Sequence, residues 1–121
     1  MRPIDLNPKT SVNLTTRRHV GRQGKTPNII VIHTAEAAET PRTAENLGNY
    51  FKTVDASTHW SCDKDSRVRS VEDKDTSWTA PGAANRSLNI ELAGYARQTK
   101  DDWADVFSIN MLEIAALSAA E

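Results

Sequence analysis

The chain has 121 residues, 38% of them hydrophobic and 26% charged, and a formal net charge of −1. That length suits one domain with one buried core, and the composition excludes a disordered or fibrous chain. The charge balance leaves no basic excess for nucleic acid or anionic lipid, and no stretch approaches the ~20 apolar residues of a membrane span, so neither nucleic-acid binding nor membrane insertion is expected.

Cys62 is the one cysteine, so no internal disulfide can form, which fits synthesis in a reducing cytoplasm. The opening decapeptide MRPIDLNPKT has no apolar run and does not read as a signal peptide. Residues 1–27 are polar and proline-interrupted and predict an irregular lead-in. Arg17, Arg18, His19 and Arg22 form a short basic cluster there, read as a solvated arm.

Asn28 to His33 follows. Its four consecutive β-branched residues, Ile29 to Ile32, predict a strand buried on both faces, with His33 at its carboxyl end. Thr40-Pro41 predicts a helix start, and Ala44, Leu47, Phe51 and Val54 then line one helical face. Two short strands, Thr58 to Cys62 and Arg67 to Glu72, flank the turn-like Asp63 to Ser66 and predict a hairpin. Pro81 to Asn85 reads as a loop. Ser87 to Ala93 alternates Leu88, Ile90 and Leu92 with Asn89 and Glu91, a half-buried strand with Glu91 opposite the leucines. One long helix closes the chain, capped by Thr99 with Asp102, with Trp103, Val106, Phe107, Asn110, Ile114 and Leu117 along one face. No stop signal precedes Glu121, so the pattern runs to the chain's last residue. The order of elements predicts an α/β fold with a central mixed β-sheet flanked by helices.

Few residues invite chemistry. His33, directly after a buried strand, suits a metal or a proton-transfer role, or is a hydrogen-bonded structural histidine. Glu91 faces either solvent or a site; in a cleft, desolvation would raise its pKa and make it a general base. His59 and Trp60 alternate on one strand, so one faces a site side and the other packs. Trp78 is either a platform for a sugar ring or a core residue. Cys62 and His59 lie on opposite faces of their strand, which weakens a Cys–His nucleophile. No CxxC, HExxH, GxSxG or phosphate loop occurs.

Five segments in order carry a resemblance: Ile29 to Ala35, Ser57 to Trp60, Asp63 to Val68, Thr76 to Ala80, and Asn85 to Leu92. Together they resemble the second family of N-acetylmuramoyl-L-alanine amidases, which includes peptidoglycan recognition proteins. They look most like the endolysin amidase domains of mycobacteriophages. The resemblance spans roughly residues 28–121. It implies one Zn²⁺ ion held by two histidines and a third ligand, with His33 as the first ligand and Glu91 as the catalytic acid/base. The other ligands of the family lie after the long helix, so they are expected beyond Glu121 and the site is expected to be incomplete in this chain. The resemblance places His59, Trp78, Asn85 and Thr34 along the substrate cleft. Thr79 stands where many relatives have a histidine. The implied activity is hydrolysis of the amide between N-acetylmuramic acid and L-alanine in peptidoglycan, by a monomer made in the host cytoplasm and acting on the wall after release. A non-catalytic peptidoglycan-binding module of the same fold is the alternative.

Overall fold

The structure, a computed structural model, describes residues 7–79 and 84–120. Seven strands, three helices and a 3-10 turn follow in chain order: β1 (Lys9–Val12), β2 (Arg18–His19), β3 (Ile29–Thr34), α1 (Thr43–Tyr50), β4 (Trp60–Cys62), β5 (Ser66–Arg69), β6 (Thr76–Ser77), the turn Ala84–Arg86, β7 (Ser87–Leu92), α2 (Lys100–Trp103) and α3 (Val106–Ala120). The main sheet runs β1-β5-β4-β7-β3, and β2 pairs with β6 in a separate ribbon. Only β4 and β5 are antiparallel within the main sheet, as a hairpin requires; its other pairings are parallel. The expected mixed sheet with flanking helices is therefore present.

Period-two alternation sorts the two faces. Trp60 and Cys62 of β4 join Ile90 and Leu92 of β7, and these pack on Met111, Ile114 and Ala115 of α3 to form the core. The other face carries Ser61, Val68, Asn89 and Glu91, with α1 lying over β4 and β5. Gly48 permits that approach, because a Cβ there would stand 2.8 Å from Val68 Cγ1. Ala44, Leu47 and Phe51 are buried as the helical spacing predicted. Asp63, fully buried at the hairpin turn, accepts from Ala44 N at 2.9 Å and so ties the hairpin to the start of α1.

Four expectations need correction. The lead-in is not irregular: Lys9–Val12 adds a parallel edge strand beside β5, and Arg18–His19 pairs with β6. Its polar residues gave no period because all four residues of β1 are exposed. β3 is not buried on both faces. It is the other edge of the sheet, where Ile30 and Ile32 are each about half exposed (54% and 51%). The basic cluster is no solvated arm, since Arg18 pairs with Asp75 and Arg22 is buried. The closing helix is two helices. Asp105 interrupts it, its carboxylate accepting from Ser108 N at 2.8 Å and starting α3 anew. The restart turns Ser108, Met111, Ile114, Ala115 and Ser118 inward and leaves Val106 exposed. The predicted loop at Pro81 to Asn85 lies outside the described residues except for Ala84 and Asn85, which open the 3-10 turn.

The cap at Thr99 is as expected. Thr99 Oγ1 accepts from Asp102 N at 3.2 Å, and Asp102 Oδ2 accepts from Thr99 N at 2.9 Å. The helix it starts is one exposed turn, so Thr99→Ala is expected to cost no more than about 1 kcal/mol in a urea titration. A larger loss would show that this turn holds α3 in place.

Candidate functional site

β3 and β7 run parallel, with His33 and Glu91 as Cα partners. Glu91 is in turn the partner of Ser61 on β4. Three adjacent strands thus place Ser61, Glu91 and His33 in one row on the face opposite the α3 core. The row lies at the carboxyl ends of the parallel strands, where open α/β sheets bind ligands. Strand register alone makes His33 and Glu91 neighbours across 58 residues of sequence.

The environment of Glu91 is unusual for a carboxylate. The side chain is half-buried, and Oε2 is buried with no hydrogen-bond partner among the described residues. Burial pushes its pKa up to about 7, and the neighbouring His33 only partly opposes this. Such a carboxyl is poised at neutral pH to take a proton and to give one back. Ser61 Oγ is also buried without a partner. Two orphan polar atoms on paired residues mark a place for a polar group that the chain itself does not supply.

His33 Nε2 lies 3.1 Å from Asn89 Oδ1. Asn89, fully buried, donates through Nδ2 to Ser77 Oγ (2.9 Å) and Ser87 Oγ (3.0 Å). Ser77 Oγ lies 2.9 Å from Thr79 Oγ1. This network joins β6 to the sheet beneath the candidate site. At the end of β3, the Thr34 hydroxyl donates to Glu36 Oε1 at 2.8 Å, as does Ala96 N. Those two bonds hold Glu36 at a φ of +54° and shape the loop that leaves the site.

The remaining expected site residues fall elsewhere. His59 does not face a cleft. It is fully buried, its Nδ1 accepts from Asn89 N at 3.1 Å, and its Nε2 stands 2.9 Å from Asp75 O. The Asn89 N–H can only donate, so Nδ1 is the acceptor and the neutral ring carries its proton on Nε2 toward the Asp75 carbonyl; Arg22 Nη2 stands 3.1 Å from the same nitrogen. The expectation that it touches substrate is corrected: the ring is a structural cross-link with no free atom. Trp60 packs in the core, with the guanidinium carbons of Arg69 and Arg67 at 4.0 and 4.7 Å from its ring centroid. Trp78 is half-buried, its ring 5.9 Å from that of His19. Asn85 donates to Gln23 Oε1 at 3.2 Å and lines a cavity of about 280 Å³ with His19, Gln23, Thr76 and Ala84. Asn85 precedes β7, whereas Glu91 is its fifth residue. At ~3.3 Å per residue, Glu91 lies roughly 13 Å beyond the first residue of the strand. Cys62 is no nucleophile, because burial pushes its thiol up to about 12.

Sequence reasoning missed Arg22, Asn89 and Ser61. Arg22 donates to Asp73 O (2.6 Å), Asn85 O (3.3 Å) and Ser87 O (2.9 Å), fastening the lead-in to the start of β7. A signal for Asn89 did exist. An amide at the centre of SLNIEL shares the face of Glu91 and is costly to bury unless it is bonded.

Residues 23–119 match the N-acetylmuramoyl-L-alanine amidase family. No curated protein matches the chain. Among solved structures, the fold is similar to that of AmpD, with a TM-score of 0.68 at 13% identity over 91% of this chain and 71% of that one. It is also similar to the hydrolase AmiA of Staphylococcus aureus, solved with its ligand, with a TM-score of 0.65 at 19% identity over 93% and 54% of the two chains. A mutant endolysin from Bacillus subtilis gives a TM-score of 0.59 at 19% identity over 78% and 67%.

Proposed function

The chain belongs to the N-acetylmuramoyl-L-alanine amidase family, and from that premise we propose that it hydrolyses the amide between the lactyl group of N-acetylmuramic acid and L-alanine in peptidoglycan. The observation that carries the reading is Glu91, a half-buried carboxyl with an orphan oxygen and a pKa near neutrality, set beside His33 by strand register. An amide needs a proton removed from the attacking water and a proton delivered to the departing nitrogen. Glu91 can do both in turn: the water's oxygen bonds to the lactyl carbon, the C–N bond breaks, and the proton first held by Glu91 goes to the amine of L-alanine. The products are a muramic carboxylate and a free peptide amino terminus.

The family resemblance implies zinc, and the donor set decides how far these residues fit it. A catalytic zinc takes three protein ligands and an open position. Among the described residues no group of three His, Cys, Asp or Glu side chains could hold a metal ion. His33 is a candidate ligand, but the described residues do not fit a zinc ion by themselves. The biological setting we propose is that of an endolysin, a monomer that acts on the bacterial wall after release from the host cytoplasm.

The test is digestion of purified peptidoglycan with the chain, with and without a chelator. Hydrolysis predicts new L-alanine amino termini and no new reducing sugar ends. New reducing ends without free amines would overturn the proposed bond. Undiminished activity in chelator would overturn the zinc expectation alone. The incomplete donor set favours one second reading, a peptidoglycan-binding module, for which wall binding without any released amine is the expected result.

A further inference from the structure

We propose that the cavity walled by the lead-in, with Gln23 and Asn85 as its paired amides, binds a secondary amide, one –CO–NH– group of a larger ligand. Peptidoglycan carries that group in the acetamido arms of its amino sugars and in its peptide bonds, and only this choice of parent molecule rests on the function proposed above. The cavity measures about 280 Å³ and is lined by His19, Gln23, Thr76, Ala84 and Asn85. That is close to the ~300 Å³ lower end of small-ligand pockets, room for one group and not for a whole chain. It lies at the start of β7, at the other end of the strand from Glu91. Ser77 of β6 accepts from Asn89 Nδ2, which lays the β2–β6 ribbon against the face that carries Glu91. His19, and the Arg18, Gly21 and Arg22 that fasten it, precede the stretch 23–119 that matches the family, so this wall is additional to the matched domain.

The two side-chain amides decide the ligand chemistry. Asn85 Nδ2 donates to Gln23 Oε1 at 3.2 Å. One bond between two primary amides uses one NH₂ and one carbonyl, and leaves the other NH₂ and the other carbonyl to the cavity. This holds whichever way the two amides are turned, because flipping both exchanges the roles and leaves the same pair of groups. One donor beside one acceptor is the complement of a secondary amide, whose carbonyl takes the NH₂ and whose N–H takes the carbonyl. A carboxylate would meet one donor and one repelling carbonyl, and an ammonium the reverse. The Thr76 hydroxyl does not compete, since it donates to Gly21 O at 2.7 Å. Ala84 and the His19 ring, which leans on Trp78 at 5.9 Å, supply the surface beside the amide pair.

The wall is built before any ligand arrives. Asp75, buried, accepts from Gly21 N at 2.8 Å and from Arg18 Nε at 3.1 Å, which fixes the chain on either side of His19. Buried Arg22 donates to Asn85 O (3.3 Å) and Ser87 O (2.9 Å), so the residue before Gln23 holds the backbone of Asn85. Gln23 itself stands at φ +54°, between Gly21 and Gly24 at +75° and +77°. Glycine takes that left-handed conformation freely and a long side chain does not, so a glutamine kept there is held against its backbone preference. Strain of this kind collects where a side chain has work to do. Here the side chain is exposed and its one bond is the one to Asn85, a contact worth little to the fold at the surface.

The test is titration of the ¹⁵N-labelled chain, followed through the side-chain amide signals of Gln23 and Asn85, with three probes. N-acetylglucosamine carries the acetamido source, N-acetyl-alanine methylamide carries the peptide source, and glucose keeps the sugar hydroxyls without an amide. Saturable shifts of both side-chain amides with either amide probe, and none with glucose, are the expected result. The sugar alone assigns the cavity to the glycan, the peptide probe alone assigns it to the stem, and both together support the shared amide chemistry. No saturable shift with either amide probe overturns the proposal, and so does an equal response to glucose. Gln23→Gly should weaken the responding probe by about tenfold, the scale of one lost hydrogen bond. It should leave the urea midpoint unchanged or raise it, because glycine relieves the left-handed backbone. A lowered midpoint with unchanged probe affinity would make Gln23 a structural fastener and overturn its role. Asn85→Ala gives a second reading at a position outside the strained turn, with the same weakening expected. None of these measurements needs turnover. A chain that binds the probes without hydrolysing peptidoglycan loses the amidase reading and keeps this one, and a chain that hydrolyses without binding them does the reverse.

Discussion

Glu91→Gln is expected to lower peptidoglycan hydrolysis by about 10²–10⁴-fold, the range associated with a positioned general acid/base. The same substitution should leave the fold as stable as before, or more so. Glu91 sits in a largely buried strand with Oε2 unpartnered, and a buried charge without a full set of bonds is costly. Gln keeps the volume and removes the charge, so the urea midpoint at pH 8 should not fall. Loss of activity with an unchanged or raised midpoint is what a group kept for chemistry predicts. A carboxylate kept for structure predicts the reverse, a lower midpoint with activity following the folded fraction. Rates should be compared at equal folded fraction, and a Glu91→Gln chain within threefold of the unmodified rate would remove Glu91 from the mechanism.

The two residues at the centre of the site were legible because each lies on a strand whose own pattern is strong. Ile29 to Ile32 marks the end of β3 where His33 sits, and the alternation of Leu88, Ile90 and Leu92 fixes the face of Glu91. Their adjacency was not legible from the pattern. It depends on β7 inserting between β4 and β3, a choice made by parallel pairings that leave no local trace in sequence. The edge position of β3 was hidden for a related reason, since an apolar run does not say whether one neighbour or two will cover it. The lead-in was misread because its contribution is made by backbone and by charge. β1 adds backbone hydrogen bonds with exposed side chains, and the buried Arg22 guanidinium is met by three carbonyls and by the His59 ring. The family resemblance put His59 along the cleft, and its own strand left open which way it faces. Its role is set by Asn89 N and Asp75 O, and hydrogen bonds to backbone are invisible in a list of side chains.

That structural role makes His59 the source of an acid-sensitivity specific to this fold. Burial is the largest cause lowering its pKa from 6.5 to about 4, and the nearby charge of Arg22 adds to it. A histidine depressed in the folded state stays neutral there while the unfolded chain takes up a proton. Its contribution to stability is therefore full above pH 6.5 and is lost as pH falls from 6.5 to about 4. Holding the ring at about 4 against 6.5 corresponds to about 3 kcal/mol. Other groups act in the same range with the opposite sign. Burial raises the carboxyls of Glu91 and Asp63, so each favours the folded state increasingly as pH falls toward its unfolded value. Asp75, lowered by its bond from Gly21 N, loses its contribution only below the ordinary carboxylate range. The raw stability profile mixes these terms, and the difference between the unmodified chain and His59→Gln separates them. The stability of the unmodified chain minus that of His59→Gln, from urea unfolding at each pH, should shrink by about 3 kcal/mol between pH 6.5 and pH 4. A constant difference across that range would show that His59 titrates alike in both states. So would an NMR titration in which its ring protonates near 6.5 while the fold is intact. If the ring instead stays neutral to about pH 4, the cross-link between β4, β7 and the Asp75 turn is held by a neutral imidazole, and protonating it opens the support beneath Asn89 and His33.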